Sequence, residues 1–159
     1  MQDPADEFAA IARDIASRTQ AAGVRVATAE SLTSGAIANA LGAAPEASEW
    51  FQGGVVAYAE SVKRSVLGVT AESVTSTQCA RELAEGVARF LDADATVAVT
   101  GVGGPGPEDG EPAGSVYAAV SVRGEIRDAH FQFDGDDPSA VVHQTVRAAL
   151  EMLRDALPR

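Results

Sequence analysis

The reading of the chain turns on Val24-Arg25-Val26-Ala27-Thr28-Ala29-Glu30-Ser31-Leu32-Thr33-Ser34-Gly35-Ala36-Ile37-Ala38-Asn39-Ala40-Leu41. Val24 and Val26 are β-branched and flank Arg25, an alternation that predicts a short strand. Leu32, Ile37 and Leu41 can be turned towards a core by a helix over residues 33–42. Strand passes into helix through a hydroxyl cluster, Ser31, Thr33 and Ser34, followed by Gly35. A helix N-terminus carries unpaired backbone N–H groups and the positive end of the helix dipole. A hydroxyl there can cap the helix, bind a phosphate, or attack a substrate whose oxyanion those N–H groups stabilise. Capping is the default role, so any chemistry at this turn must be supported from elsewhere in the chain.

Outward from this stretch the pattern alternates between helix and strand. Before it, Phe8, Ile11, Ala12 and Ile15 predict a packing helix over residues 5–22, stopped by Gly23. After it, residues 44–51 read as a loop and short helical turn delivering Trp50 and Phe51, an aromatic pair assigned to the core. A strand is predicted over residues 53–58, with Tyr58 at its end. A short helix follows, with Lys63 about one turn in, closed by Gly68. Ser76 or Thr75 caps a helix reaching Leu91, on which Arg81 reads as a solvated surface residue. A buried strand over residues 95–100 runs into the most glycine- and proline-dense part of the chain, residues 101–112. Two alternating runs, 114–122 and 125–133, flank Arg123-Gly124 and predict a hairpin. The last helix opens at Pro138 or Ser139 and turns Val142, Val146, Ala149, Leu150 and Leu153 inward. This order predicts an α/β fold over residues 1–159: a single layered domain, a mixed β-sheet covered by helices.

Composition narrows the function classes. A chain of 159 residues suits one domain with a sizeable core. A net charge of −11 disfavours non-specific binding to nucleic acid or to an anionic membrane. Cys79 is the only cysteine, so no intrachain disulfide can form, and it reads as a small buried hydrophobe. The two histidines, His130 and His143, lie far apart, and no metal site is expected. No apolar run is long enough to span a membrane, and the N-terminus is not a secretory signal. The expectation is a cytoplasmic protein without a cofactor.

Three polar groups fall near predicted strand ends: Ser31, Tyr58 and Lys63. Serine is a weak nucleophile unless a base takes its proton. No Ser-His-Asp set is apparent, but a desolvated lysine loses basicity and can serve, with a tyrosine relaying the proton or orienting the amine. The glycine-rich loop at 101–106 is not a phosphate-binding P-loop, because no Gly-Lys-Ser/Thr follows. It is not a dinucleotide fingerprint, because a strand rather than a helix comes next.

Ala29-Glu30-Ser31-Leu32-Thr33-Ser34-Gly35 resembles the Ala-Glu-Ser-Cys-Thr-Gly-Gly signature of the CinA C-terminal domain family. Further matching segments follow in the same order: Ser48 to Phe51, Gly54 to Lys63, Leu67-Gly68-Val69, Ala84-Glu85-Gly86, Thr100 to Gly106 and Pro112 to Tyr117. The resemblance covers residues 5–157 and is to the stand-alone form. It implies nicotinamide-nucleotide amidase activity, converting nicotinamide mononucleotide to nicotinic acid mononucleotide and ammonia in pyridine nucleotide recycling. It implies Ser31 as nucleophile, with Lys63 and Tyr58 beside it. Substrate contacts are implied at Glu30, Thr33, Ser34 and Gly35, and at Thr100, Gly101, Gly104, Pro105 and Gly106. Backbone N–H groups of residues 33–35 are expected to hold either the oxyanion or the phosphate. The implied partners are a pyridine nucleotide and further copies of the chain in a homo-oligomer. Leu32 replaces the signature's cysteine, Ser34 replaces its first glycine, and Asp137-Pro138 stand where arginines are common. These departures motivate an alternative, a nucleotide-binding or competence-related regulatory module that has lost turnover.

Overall fold

A computed structural model describes residues 3–159; residues 1 and 2 of the expected domain lie outside the described residues. Five strands form one mixed sheet: β1 (Val26–Glu30), β2 (Phe51–Val56), β3 (Ala95–Gly101), β4 (Ser115–Val122) and β5 (Glu125–Gln132). Their spatial order is β2-β1-β3-β4-β5. β1 pairs in parallel with β2 and β3, whereas β3-β4 and β4-β5 are antiparallel. The helices are α1 (Pro4–Ala22), α2 (Ala36–Gly42), α3 (Ala47–Trp50), α4 (Glu60–Leu67), α5 (Thr77–Phe90) and α6 (Pro138–Ala156).

Alternate side chains of the sheet feed two cores. Val26, Val97, Val99 and Val120 face α1, α2, α3 and α6, where Ile15, Ile37, Trp50 and Leu150 are buried. Ala27, Ala29, Ala98 and Ala119 face the other way, towards Leu67, Cys79, Leu83 and Val87 of α4 and α5. The small side chains on this second face let α5 lie close, and the Thr96 hydroxyl donates to the Ala84 carbonyl at 2.9 Å. Gly86 tightens the same layer: a Cβ there would stand 2.2 Å from the Leu67 carbonyl oxygen. Trp50 is buried, as expected, and its indole N–H donates to Pro45 O at 3.0 Å. Cys79 is fully buried, also as expected. Among the described residues no helix is long and apolar enough to cross a membrane.

Three details differ from the sequence reading. β1 begins at Val26 rather than Val24 and runs on to Glu30. All five of its residues are buried, because a central parallel strand covered on both faces does not alternate. β2 starts at Phe51, opposite Val26, so Tyr58 lies two residues beyond its end. Arg81 is not merely solvated; it pairs with Asp128, tying α5 to the edge strand β5.

From β1 the chain moves to β2 on one side, then crosses to β3 on the other. The carboxyl ends of β1 and β3 therefore frame a topological switch point, the place where open α/β sheets leave a crevice.

Candidate active site

The turn after β1 is organised by a carboxylate. Glu30, 1% exposed, accepts from the Thr33 hydroxyl at 2.7 Å and from the N–H groups of Ile37 and Ala38, both at 2.9 Å. Charge-assisted bonds of this kind are among the stronger ones available to a protein. The helix therefore starts at Ala36, not Thr33, and its cap comes from the end of the strand. The Ser34 N–H is also taken, by the Ser31 carbonyl at 3.1 Å. Two consequences follow. The amides at the start of α2 are spoken for, and so is the Ser34 amide expected to meet oxyanion or phosphate. The Ser31 hydroxyl, by contrast, has no capping duty and no hydrogen-bond partner among the described residues, although Ser31 is only 7% exposed.

Ser31 opens into a cleft of about 390 Å³ at the switch point, within the range of roughly 300–1,000 Å³ usual for small-molecule sites. Its walls come from the β1 turn (Ser31, Leu32), the segment after β2 (Tyr58, Glu60, Lys63) and the connection before α5 (Val74, Thr75). The loop after β3 (Thr100 to Asp109) and the start of α6 (Pro138, Val142) complete it. Val142, assigned to the core from its spacing, is half-buried, packs against that core and also forms part of the cleft wall.

Lys63 is the cation of that wall. It is 3% exposed, and its ammonium donates to the Tyr58 backbone carbonyl at 3.0 Å. Burial lowers its pKa below the ordinary lysine value, while Cys79, Glu108, Glu60 and Asp109 act in the opposite direction. The Cys79 thiol is itself pushed up to about 11 by burial. It is uncharged near neutral pH, so the opposing field on Lys63 comes from the carboxylates.

Of the residues singled out in the sequence, the fold brings Ser31, Tyr58, Lys63, Thr100, Gly101, Gly104 and Gly106 onto one cleft. It does not bring Glu30, Thr33, Ser34, Gly35 or Pro105 onto its wall. Glu30 and Thr33 hold the turn from beneath, whereas Ser34 and Pro105 face solvent. Tyr58 is also used differently: its backbone oxygen receives the lysine, while the side chain is 67% exposed and its phenol makes no hydrogen bond among the described residues. Thr100 donates to Val74 O at 2.6 Å, drawing the Val74–Thr75 connection to the end of β3.

Glu60, Thr75, Glu108 and Asp109 were not among the residues singled out. Only Glu60 carried a signal, three positions before Lys63 on a helix and so on the same face. Thr75, read only as a cap, leaves that task to Ser76, whose hydroxyl accepts from the Cys79 N–H at 3.1 Å. The histidines stay apart from the cleft. His130 stacks on Tyr117 and meets the Ser115 hydroxyl at 3.0 Å, and His143 lies 3.6 Å from Glu7. Among the described residues no group of three or more His, Cys, Asp and Glu side chains is placed to hold a metal.

The comparisons with known proteins agree with this architecture. Residues 8–157 match the family model described as the CinA C-terminal domain. Protein YdeJ of Escherichia coli is 38% identical over 140 residues, which are 84% of this chain and 81% of YdeJ. A Geobacillus kaustophilus relative named for competence-damage induction is 45% identical over 118 residues, 71% of this chain but 28% of that protein. The chain thus spans under a third of that relative's length. The crystal structure of the competence damage-inducible protein A from Klebsiella pneumoniae superposes with a TM-score of 0.88 at 37% identity, covering 94% of this chain and 96% of that one. A CinA-superfamily structure from Escherichia coli gives 0.88 at 34% identity, over 97% and 93% of the two chains. With sequence and fold in agreement along almost its whole length, the chain belongs to the CinA C-terminal domain family.

Proposed function

We propose that the chain is an amidohydrolase that cleaves the carboxamide of nicotinamide mononucleotide, with Ser31 as nucleophile and Lys63 as base. The observation that carries this reading is the pairing of two buried groups on one cleft: a serine hydroxyl free of structural duty and a lysine whose basicity burial has lowered. A lysine with lowered basicity becomes available as a neutral general base at lower pH than an ordinary lysine. In the proposed cycle the Ser31 Oγ attacks the amide carbon as Lys63 takes its proton. The tetrahedral intermediate collapses by breaking the C–N bond, and Lys63 returns the proton to the departing ammonia. Water then attacks the resulting ester, releasing the carboxylate and regenerating Ser31. Oxyanion donors come from backbone N–H groups not already engaged around Glu30. Tyr58 anchors Lys63 through its carbonyl rather than relaying a proton through its phenol.

The test is ammonia release from nicotinamide mononucleotide by wild type, Ser31→Ala and Lys63→Ala. Release by wild type alone is expected, with losses of about a hundredfold or more in each variant. Full activity in Ser31→Ala would remove the serine from the mechanism. A wild type that binds the nucleotide without releasing ammonia would instead favour a ligand-binding module. A homo-oligomer is proposed alongside, supported by the exposed apolar side chains of Val56, Val66 and Phe90; a monomer in sedimentation would refute it.

A further inference from the structure

Residues 68–76 join α4 to α5 and carry Val74 and Thr75 into the cleft wall, yet they form no regular secondary structure. A segment without a helix or strand ladder must find partners for its backbone elsewhere. The partner here is Glu82, half-buried on the second turn of α5. Its carboxylate accepts from the Thr70 N–H at 3.1 Å, the Ala71 N–H at 2.9 Å and the Thr70 hydroxyl at 2.6 Å. Burial pushes the pKa of this carboxyl up, but the hydrogen bonds from Thr70, Ala71 and Gln78 together outweigh it and hold the group below the usual carboxylate range. Towards the other end of the segment the Thr100 hydroxyl donates to Val74 O. Arg64 adds two longer bonds, to Val69 O at 3.4 Å and to Glu72 O at 3.3 Å. The wall is thus suspended between α5 and the end of β3. The device repeats the one beneath Ser31, where Glu30 also gathers two N–H groups and a threonine hydroxyl. Val69 and Ala71 are buried in the same core cluster as Cys79, and Val74 packs against it.

We infer that Glu82, which does not itself line the cleft, is the positioning residue for its Val74–Thr75 wall and so governs how firmly the cleft holds its ligand. Ser31 and Lys63 are placed by other contacts, the Glu30 turn and the Tyr58 carbonyl. Loosening this wall therefore weakens binding more than the chemical step. For its effect on turnover the inference rests on the amidase reading; for the placement of the wall it does not.

The test uses Cys79, fully buried and the only cysteine, to report whether residues 69–76 stay in place. Labelling by a small aromatic disulfide, followed at low urea concentrations, is expected to be about tenfold faster in Glu82→Ala than in wild type, because bonds to a charged acceptor are lost. Glu82→Gln should restore most of the protection. Its amide oxygen can accept from the two N–H groups, and its NH2 can donate to the Thr70 hydroxyl oxygen. With nicotinamide mononucleotide as substrate, Glu82→Ala should raise KM about tenfold and lower kcat less than about threefold, with KM returning towards wild type in Glu82→Gln. Labelling as slow in Glu82→Ala as in wild type would overturn the inference. So would labelling that follows the global unfolding curve in urea, or fast labelling with KM unchanged. A wild type that releases no ammonia would remove the amidase reading alone, because Cys79 labelling still decides whether Glu82 places the wall.

Discussion

The turn after β1 and the loop after β3 leave adjacent parallel strands at the same end of the sheet and line the same cleft, yet they are built on opposite plans. The β1 turn is short and tied from below by the buried Glu30 carboxylate, which takes three donors. The β3 loop is long and exposed from Pro105 to Gly110, and it is placed by backbone contact. Gly104, at φ +86°, sits where a Cβ would stand 2.8 Å from the Gly135 carbonyl oxygen, and Glu108 and Glu111 exchange two backbone hydrogen bonds across the loop's tip. The difference teaches a division of labour. A nucleophile has to be held to within a fraction of an ångström, which a saturated buried carboxylate achieves. Charge that acts on Lys63 through space needs only to be near, so an exposed loop serves.

The largest effect expected from breaking this comparison is at Glu30. Glu30→Ala would leave a buried amide, a half-buried amide and a threonine hydroxyl without acceptors, a loss of about 3 kcal/mol in stability. Urea unfolding measures it, and turnover should fall with it because Ser31 loses its platform. A substitution costing under about 0.5 kcal/mol would show that the turn holds itself. Next come two glycines of the loop. Gly104→Ala meets backbone and forces a left-handed residue, costing about 2 kcal/mol, whereas Gly106→Ala meets nothing within 4 Å and should stay within about 0.5 kcal/mol. Equal costs at the two sites would mean that the loop is not held by backbone contact at Gly104.

Smaller still is the effect at Ser34, which adopts φ 51°, a conformation glycine reaches without strain. Ser34→Gly should stabilise the turn by about 0.5 kcal/mol, the relief exceeding the extra chain entropy only slightly. A loss of stability would show that the serine side chain contributes something the backbone does not.

The finest test couples the two regions through Lys63. The carboxylates of Glu108 and Asp109 favour the charged ammonium, so Glu108→Gln/Asp109→Asn lowers the Lys63 pKa further. If Lys63 must be neutral to act, activity rises as pH passes upward through its pKa. Removing the two charges then moves that rising limb of kcat/KM to lower pH. An unmoved limb would disconnect the loop's charge from the base. The sign for stability follows from the same shift. Because Lys63 binds its proton less tightly folded than unfolded, this residue makes folding more favourable as pH rises through the interval between its two pKa values.

Much of this architecture is legible in the chain before it folds. The 3.6-residue spacing of Phe8, Ile11 and Ile15, the alternation on either side of Arg123-Gly124, and the stops at Gly23 and Gly68 are local patterns, and each marks a real element. Local patterning also exposed Ser31, Lys63 and the glycine-rich loop as unusual. Other features are decided only when distant segments meet. Val26–Glu30 show no alternation because one face of β1 is covered by α1, α2, α3 and α6 and the other by α4 and α5. Glu30 became a cap because strand and helix bend around it and bring three donors to its carboxylate. Lys63 owes its lowered basicity to burial, which no sequence window records. Glu108 and Asp109 look like ordinary loop acids until the sheet order β2-β1-β3 sets the loop after β3 opposite the helix that carries Lys63. Periodicity and turn chemistry depend on neighbours along the chain, and so they determined the elements. Desolvation, capping from a distance and the electric field in a cleft depend on neighbours in space, so only the tertiary structure could decide them.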